Sequence, residues 1–329
     1  IQPDYAKAHY NLGSALHELD QLDESVKSYQ NSLNIDPKYA QAHNNLGNVF
    51  KDNRNFDDAI NSYKNAILIN PDYLEAYYSL AIIFQEIGEF NKSIEFLEKV
   101  ISIEPNLAEI HNKLGEVLTE LGQLDNAASS YQRATDISSN YSEAHNNLGN
   151  TLKELGRTED AIKSYKKAIK INPDFPALHN NLGNAYKEFG QLENAIKSYQ
   201  EALINNPDYP ESLNNLGVAL FEIDNFDEAV KNFEKAIEVK PDYADAYNNL
   251  GTVLKKLERF DDAINSLEFS LSIDPNYADA HNNIGTLFKK LGRLDEAIIS
   301  FKKALKINSK DVDTLNNLGA AFDELENLD

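Results

Sequence analysis

Apolar residues along the chain keep two helical registers that alternate from end to end. Between Ala40 and Pro71, His43, Leu46, Gly47 and Phe50 fall at the spacing of one helix face, and Ala59, Tyr63 and Ala66 do so on a second segment. The pair then returns. Prolines stand at 3, 37, 71, 105, 173, 207, 241 and 275, with serine in that place at 139 and 309, a spacing of 34 residues without insertion. Counted from Ala6, nine complete repeats cover 6–311, preceded by a remnant at 1–5 and followed by a partial repeat at 312–329. One array of helical hairpins is expected over 1–329, entered and left in mid-repeat, with the native N-terminus expected upstream of Ile1.

The punctuation agrees with this reading. All 14 glycines occupy two places of the repeat: nine the eighth place, where Ala81 is the one substitute, and five the fifteenth. The first set suits close approach of two helices and the second the turn between them. Asp or Asn follows the proline place in eight of ten cases (Asp4, Asp72, Asn106, Asn140, Asp174, Asp208, Asp242, Asn276), which predicts an N-cap for the first helix, with Glu75 completing a capping box on Asp72. The second helix opens on acids such as Asp23, Asp57, Glu193 and Asp295, favoured there by the backbone dipole.

Composition narrows the function. The 329 residues are 42% hydrophobic and 26% charged, enough apolar content for a large buried surface, while no apolar run approaches a membrane-spanning length. Zero cysteine removes disulfides and thiolate chemistry. A net charge of −22 argues against a nucleic-acid partner, which needs a basic track to displace counterions. Six of the seven histidines sit at the fourth, core-facing place, so packing explains them better than metal ligation, and no cofactor site is expected. Neither a metalloprotease, nucleophile-elbow, phosphate-loop nor dinucleotide motif occurs, so this segment is not expected to be an enzyme by itself.

The aromatic, Leu-Gly, Tyr, Ala and Pro positions of the second repeat (His43, Leu46-Gly47, Tyr63, Ala66, Pro71) and their return every 34 residues resemble the tetratricopeptide repeat family over the whole chain. The resemblance implies an all-α, right-handed superhelix, an α-solenoid of stacked antiparallel hairpins, with the first helices lining an inner groove.

The stretch AHNNLGN runs over 42–48 and recurs over 144–150, although asparagine costs a helix interior up to about 0.7 kcal/mol relative to alanine. At 100° per residue, the second, sixth, ninth and thirteenth places lie opposite the core-facing fourth, seventh, eighth and eleventh. The sixth place carries Asn11, Asn45, Asn147, Asn181, Asn215, Asn249, Asn283 and Asn317, interrupted by Ser79 and Lys113. A carboxamide offers donor and acceptor together, so such a ladder is a candidate reader of an extended peptide backbone. The NNLG context looks most like the superhelical arm of the O-linked N-acetylglucosamine transferase family and SPINDLY-type relatives, which implies that these eight residues contact substrate peptides. The fifth-place asparagines (Asn44, Asn112, Asn146, Asn180, Asn214, Asn248, Asn282, Asn316) lie at the groove edge, where bonding between repeats is their expected task.

Acids fill the second place in most repeats (Glu75, Glu109, Glu143, Glu211, Asp245, Asp279, Asp313) and the thirteenth in many (Asp52, Glu86, Glu120, Glu154, Glu188, Glu222, Glu324), with lysines at 51, 153, 187, 255 and 289 beside the latter. The expected partners are therefore extended protein segments that are neutral, Ser/Thr-rich or basic. Tyr78 with Ile82, and Val218 with Phe221, are candidate apolar pockets, packing being the stronger alternative. Three functions follow: a peptide-binding interaction module, the substrate-recruiting arm of a glycosyltransferase whose catalytic domain lies outside this chain, or a self-assembling scaffold whose last helix, with Leu318, Phe322 and Leu325, could form a homodimer.

Overall fold

A computed structural model describes residues 4–326, which excludes Pro3, the first of the proline series. The described residues contain nineteen helices and no strand. These are α1 (Asp4–Glu18), α2 (Leu22–Ile35), α3 (Ala40–Asp52), α4 (Phe56–Ile69), α5 (Leu74–Glu86), α6 (Phe90–Ile103), α7 (Ala108–Glu120), α8 (Leu124–Ile137), α9 (Ser142–Glu154) and α10 (Thr158–Ile171). There follow α11 (Pro176–Glu188), α12 (Leu192–Asn205), α13 (Pro210–Glu222), α14 (Phe226–Val239), α15 (Ala244–Lys256), α16 (Phe260–Ile273), α17 (Ala278–Lys290), α18 (Leu294–Ile307) and α19 (Val312–Glu326).

Two compact bodies, 1–164 and 165–329, meet inside α10 in sequence. In the N-terminal body α1 pairs with α2, α3 with α4, α5 with α6 and α7 with α8, while each second helix also packs on the next first helix. The C-terminal body repeats the scheme from α11 to α19. Odd-numbered helices also touch side by side, as α1 with α3 and α15 with α17. Within each body this is the expected all-α stack of hairpins, which a single hairpin cannot form because it leaves one apolar face uncovered.

The eighth-place glycines stand where the second helix presses hardest. A Cβ on Gly47 would lie 2.7 Å from the Tyr63 ring, and one on Gly183 would lie 2.5 Å from that of Tyr199. Ala81, the exception, shares its core with Leu97. At the fifteenth place the backbone is left-handed whatever the residue: five glycines have φ of 71 to 77°, and Asp20, Arg54, Asp224 and Glu258 have φ of 54 to 60°.

The expected caps of the first helices are not those observed. α5, α7, α9, α11, α13, α15 and α17 begin one residue later than expected, after Tyr73, Leu107, Tyr141, Phe175, Tyr209, Tyr243 and Tyr277, with no side-chain cap bond. Asp72 and its equivalents thus lie in the turn, and no capping box with Glu75 forms. The turn is organised by the residue before proline: Asp36, Asn70, Asn206 and Asp274 accept through Oδ1 from the backbone N–H two residues on, at 2.9–3.3 Å. An Asx turn satisfies this geometry because proline holds the intervening residue in a turn conformation. The fourth-place histidines close the same turn. Nε2 of His43, His111, His145, His179 and His281 meets the carbonyl six residues upstream at 2.6–3.2 Å. Acids do open the second helices as expected, for example Asp57 and Asp58 of α4.

Candidate functional site

The first helices of each body carry the carboxamide row. Asn45, Asn147, Asn181, Asn215, Asn249, Asn283 and Asn317 are half-buried, and Asn11 is exposed. Their orientation is set by the neighbouring repeat. The Nδ2 of Asn147 donates to Oδ1 of Asn112 at 3.3 Å, that of Asn249 to Asn214 at 2.9 Å, that of Asn283 to Asn248 at 2.8 Å and that of Asn317 to Asn282 at 3.0 Å. Asn215 donates to both Asn180 and Asn184, each at 3.1 Å. Asn45 instead donates to the Tyr10 hydroxyl at 3.1 Å, because tyrosine occupies the fifth place of the first repeat.

The two asparagines of NNLG therefore have different tasks. Asn44, Asn112, Asn180, Asn214 and Asn248 are at least 93% buried, and four of these five accept from the next repeat's ladder amide. Asn147, Asn249, Asn283 and Asn317 each spend one Nδ2 donor between repeats, which leaves the second N–H and the carbonyl oxygen to meet a partner. The row is consequently pre-oriented rather than loose, which lowers the entropy lost on binding.

A second layer lies beneath it, in residues that sequence reasoning passed over. The twenty-fourth place of the repeat supplies a buried ring or Leu from the second helix, and its chemistry matches the ninth place above it, except in the fourth repeat, where Tyr131 meets Thr119 of the twelfth place at 3.4 Å. Tyr63 donates to Asn48 Oδ1 at 2.8 Å, Tyr199 to Asn184 Oδ1 at 2.8 Å, and Tyr29 shares a hydrogen bond with Ser14 at 2.9 Å. Where the buried residue is Leu97 or Phe233, the ninth place is Ile82 or Val218. Where it is Leu267 or Phe301, Thr252 and Thr286 turn their hydroxyls onto their own helix backbone. A buried phenol must find a partner, so a hydroxyl in the core dictates polarity on the opposite face. Comparing the ninth and twenty-fourth places of each repeat would have exposed this rule. Of the apolar residues picked out above, Phe221 packs on Phe226 at 5.5 Å, ring to ring, while Tyr78 is 37% exposed.

The ladder breaks in the third and fourth repeats. Lys113, in the sixth place, bonds Glu116 at 2.9 Å, and Asn112 donates to the same carboxylate at 2.9 Å. Beside it Glu116, Thr119, Glu120, Tyr131, Glu143 and Asn147 line a cavity of about 480 Å³. The thirty-fourth-place tyrosines add a row of hydroxyls next to the second-place acids. Burial, with Glu143 and Glu109, pushes the Tyr141 phenol up to about 12, and burial, with Asp245 and Glu211, does the same for Tyr243. These phenols stay neutral at physiological pH, as donors among carboxylates.

Among the described residues no group of His, Cys, Asp and Glu is arranged to hold a metal ion, and no helix is long and apolar enough to cross a membrane. Of the histidines, His17 alone lies outside the fourth place. It meets Asp52 of the next repeat at 2.7 Å.

Comparison with known proteins bears on the fold and the family. The chain is similar to the Cut9–Hcn1 hetero-tetramer structure of the APC/C at 18% identity, covering 96% of this chain and 76% of that one, with a TM-score of 0.60. It is also similar to a tetratricopeptide repeat protein from Parabacteroides merdae at 19% identity, covering 76% of this chain and 98% of that one, with a TM-score of 0.62. At such identities the likeness concerns the fold alone. No curated protein matches the sequence. Family profiles described as TPR repeat match residues 13–53, 115–156, 149–190, 186–224 and 219–258, and profiles described as tetratricopeptide repeat match 40–73, 74–107 and 242–310. With these matches spread over well above half of its length, the chain belongs to the tetratricopeptide repeat family.

Proposed function

We propose that this protein is an interaction module that captures extended segments of partner proteins along the first helices of each body, through the carboxamides of Asn11, Asn45 and Asn147 in one and of Asn181, Asn215, Asn249, Asn283 and Asn317 in the other. The observation that carries the reading is the half-exposed amide row held at one donor by the preceding repeat. An extended backbone presents N–H and C=O groups in alternation, and a carboxamide pairs with both without reading side chains. The acids of the second place, flanked by tyrosine hydroxyls, favour neutral, Ser/Thr-rich or basic segments over acidic ones in most repeats. Membership of a family built for protein contacts supports the coarse part of this function.

Selection from a phage-displayed library of unstructured peptides supplies a probe, whose affinity is then measured by fluorescence polarisation. Alanine at Asn215, Asn249 and Asn283 together is expected to weaken binding at least about tenfold, each lost amide contact contributing about 0.5–1.5 kcal/mol. Unchanged affinity in a variant of native helicity would remove the ladder as the reader.

The finer resemblance to the O-linked N-acetylglucosamine transferase arm rests on the NNLG context. It makes the same capture a substrate-recruiting step for a catalytic domain elsewhere in a longer protein. Sequencing the transcript on both sides of this segment decides that reading, which fails if no nucleotide-sugar transferase domain is encoded. The scaffold alternative is decided by light scattering: a strictly monomeric full-length protein would end it.

A further inference from the structure

The charge pattern between repeats follows a rule that fails at two successive junctions, Phe221 with Lys256 and Lys255 with Lys290. The twelfth place of one repeat faces the thirteenth place of the next, as His17 meets Asp52. That arrangement sets a basic or polar side chain against an acid, and in the C-terminal body the same two places hold Lys187 and Glu222. In the eighth and ninth repeats the acids are replaced. Lys255 and Lys256 end α15, and Lys289 and Lys290 end α17, so Lys255 has a lysine, Lys290, in the thirteenth place ahead of it.

Lys255 is half-buried, and its Nζ donates to the Thr286 hydroxyl at 2.8 Å. It forms no ion pair with any described residue, and burial together with Lys256 and Lys290 holds its ammonium below the usual lysine range. Of its two like-charged neighbours, Lys290 is drawn 3.5 Å from Glu258, on the outward turn, and no ion pair forms at Lys256. Thr286 bonds the carbonyl of Asn283, so the Lys255 ammonium stands one helical turn from a ladder amide. A desolvated ammonium among like charges is costly unless an anion joins it. In a chain of net charge −22, Lys256 and Lys290 run against the prevailing pattern, since the thirteenth place is an acid in every other repeat.

We infer that the ends of α15 and α17 form a subsite for an anionic group, a phosphate or carboxylate, carried by the bound polypeptide, with Lys255 as its central contact and Lys256 beside it. Charge-assisted hydrogen bonds from ammonium groups are the stronger kind, and an ammonium that spends one N–H on Thr286 keeps two for an anion. The subsite would set register: a neutral segment slides along identical repeats, whereas one anionic residue stops it at the eighth and ninth. The inference rests on the proposed peptide capture only for what carries the anion.

The test uses the full chain and three versions of one library-selected neutral peptide, with serine, phosphoserine or glutamate at a single position scanned along it. At the best position the phosphoserine version is expected to bind about tenfold tighter than the serine version, with glutamate between them. Lys255→Met, which keeps the apolar stem, and Lys290→Glu, which restores the acid of the other repeats, should bring the three peptides within about twofold of one another while serine-peptide affinity holds. Equal affinities in the unaltered protein, or a preference that survives Lys255→Met, would overturn the subsite and leave the amide ladder standing. If no peptide binds at all, inorganic phosphate is titrated while the lysine ammonium signals are followed by NMR. A saturable shift at Lys255 sustains the subsite although the ladder reading has failed, and no shift refutes both.

Discussion

The match between the buried residue of the second helix and the ninth place of the first yields a double-mutant cycle whose outcome the chain's own repeats foretell. Tyr199 is fully buried, and its hydroxyl donates to Asn184 Oδ1 at 2.8 Å. In the next repeat the equivalent pair is Phe233 and Val218. Replacing Asn184 by Val leaves a buried phenol without an acceptor, which costs about 1–3 kcal/mol. Replacing Tyr199 by Phe is milder, about 0.5–1.5 kcal/mol, because Asn184 is half-exposed and still accepts from Asn215 at 3.1 Å. The double variant Asn184→Val with Tyr199→Phe removes both polar groups and recreates the following repeat, where Asn249 is held by Asn214 with Val218 beneath it. Its cost should fall below that of Asn184→Val alone, giving a coupling energy of about 1–2 kcal/mol. Guanidinium unfolding followed by circular dichroism and fitted with a nearest-neighbour repeat model measures these terms, since arrays need not unfold in one step. Additive single effects would refute the claim that the core hydroxyl dictates polarity on the binding face.

Two further outcomes follow from the same geometry. Arg54→Gly and Asp224→Gly, at φ of 54 and 59°, should each stabilise the protein by about 0.5–1 kcal/mol in the same unfolding assay, because glycine alone adopts that conformation without a Cβ penalty. The protein should also lose helix in alkali. Burial pushes the Tyr131 phenol up to about 12 and those of Tyr63 and Tyr199 upward too, so above pH ~10 the unfolded chain binds fewer protons than the native one. The tyrosines' contribution is intact below pH ~10 and declines towards about 12 for Tyr131, at up to about 1.4 kcal/mol per pH unit for each. Tyrosinate absorbance should therefore rise together with the loss of circular dichroism; a rise that clearly precedes the loss would contradict this.

What could be read from the order of residues is what repeats locally. The period of 34, the hairpins, the two glycine places and the acids that open the second helices each depend on contacts within a few turns of chain, so each leaves a periodic trace. The first-helix caps were misread because an Asp after proline has the composition of an N-cap. The backbone instead spends one more residue on an Asx-proline turn that the preceding Asp or Asn closes.

The row of ladder asparagines was visible as a stripe. Which of their four hydrogen-bonding positions remain for a partner was not, because the neighbour that claims one lies 35 residues upstream and only stacking brings it there. The same holds for Tyr199 beneath Asn184 and for Lys255 before Lys290: each residue fits its own repeat, and only the packed array sets a hydroxyl under an amide or a cation ahead of a cation. Periodicity thus determined the elements, while the tertiary stack decided which polar groups are spent and which remain, since burial and pairing are properties of neighbours in space.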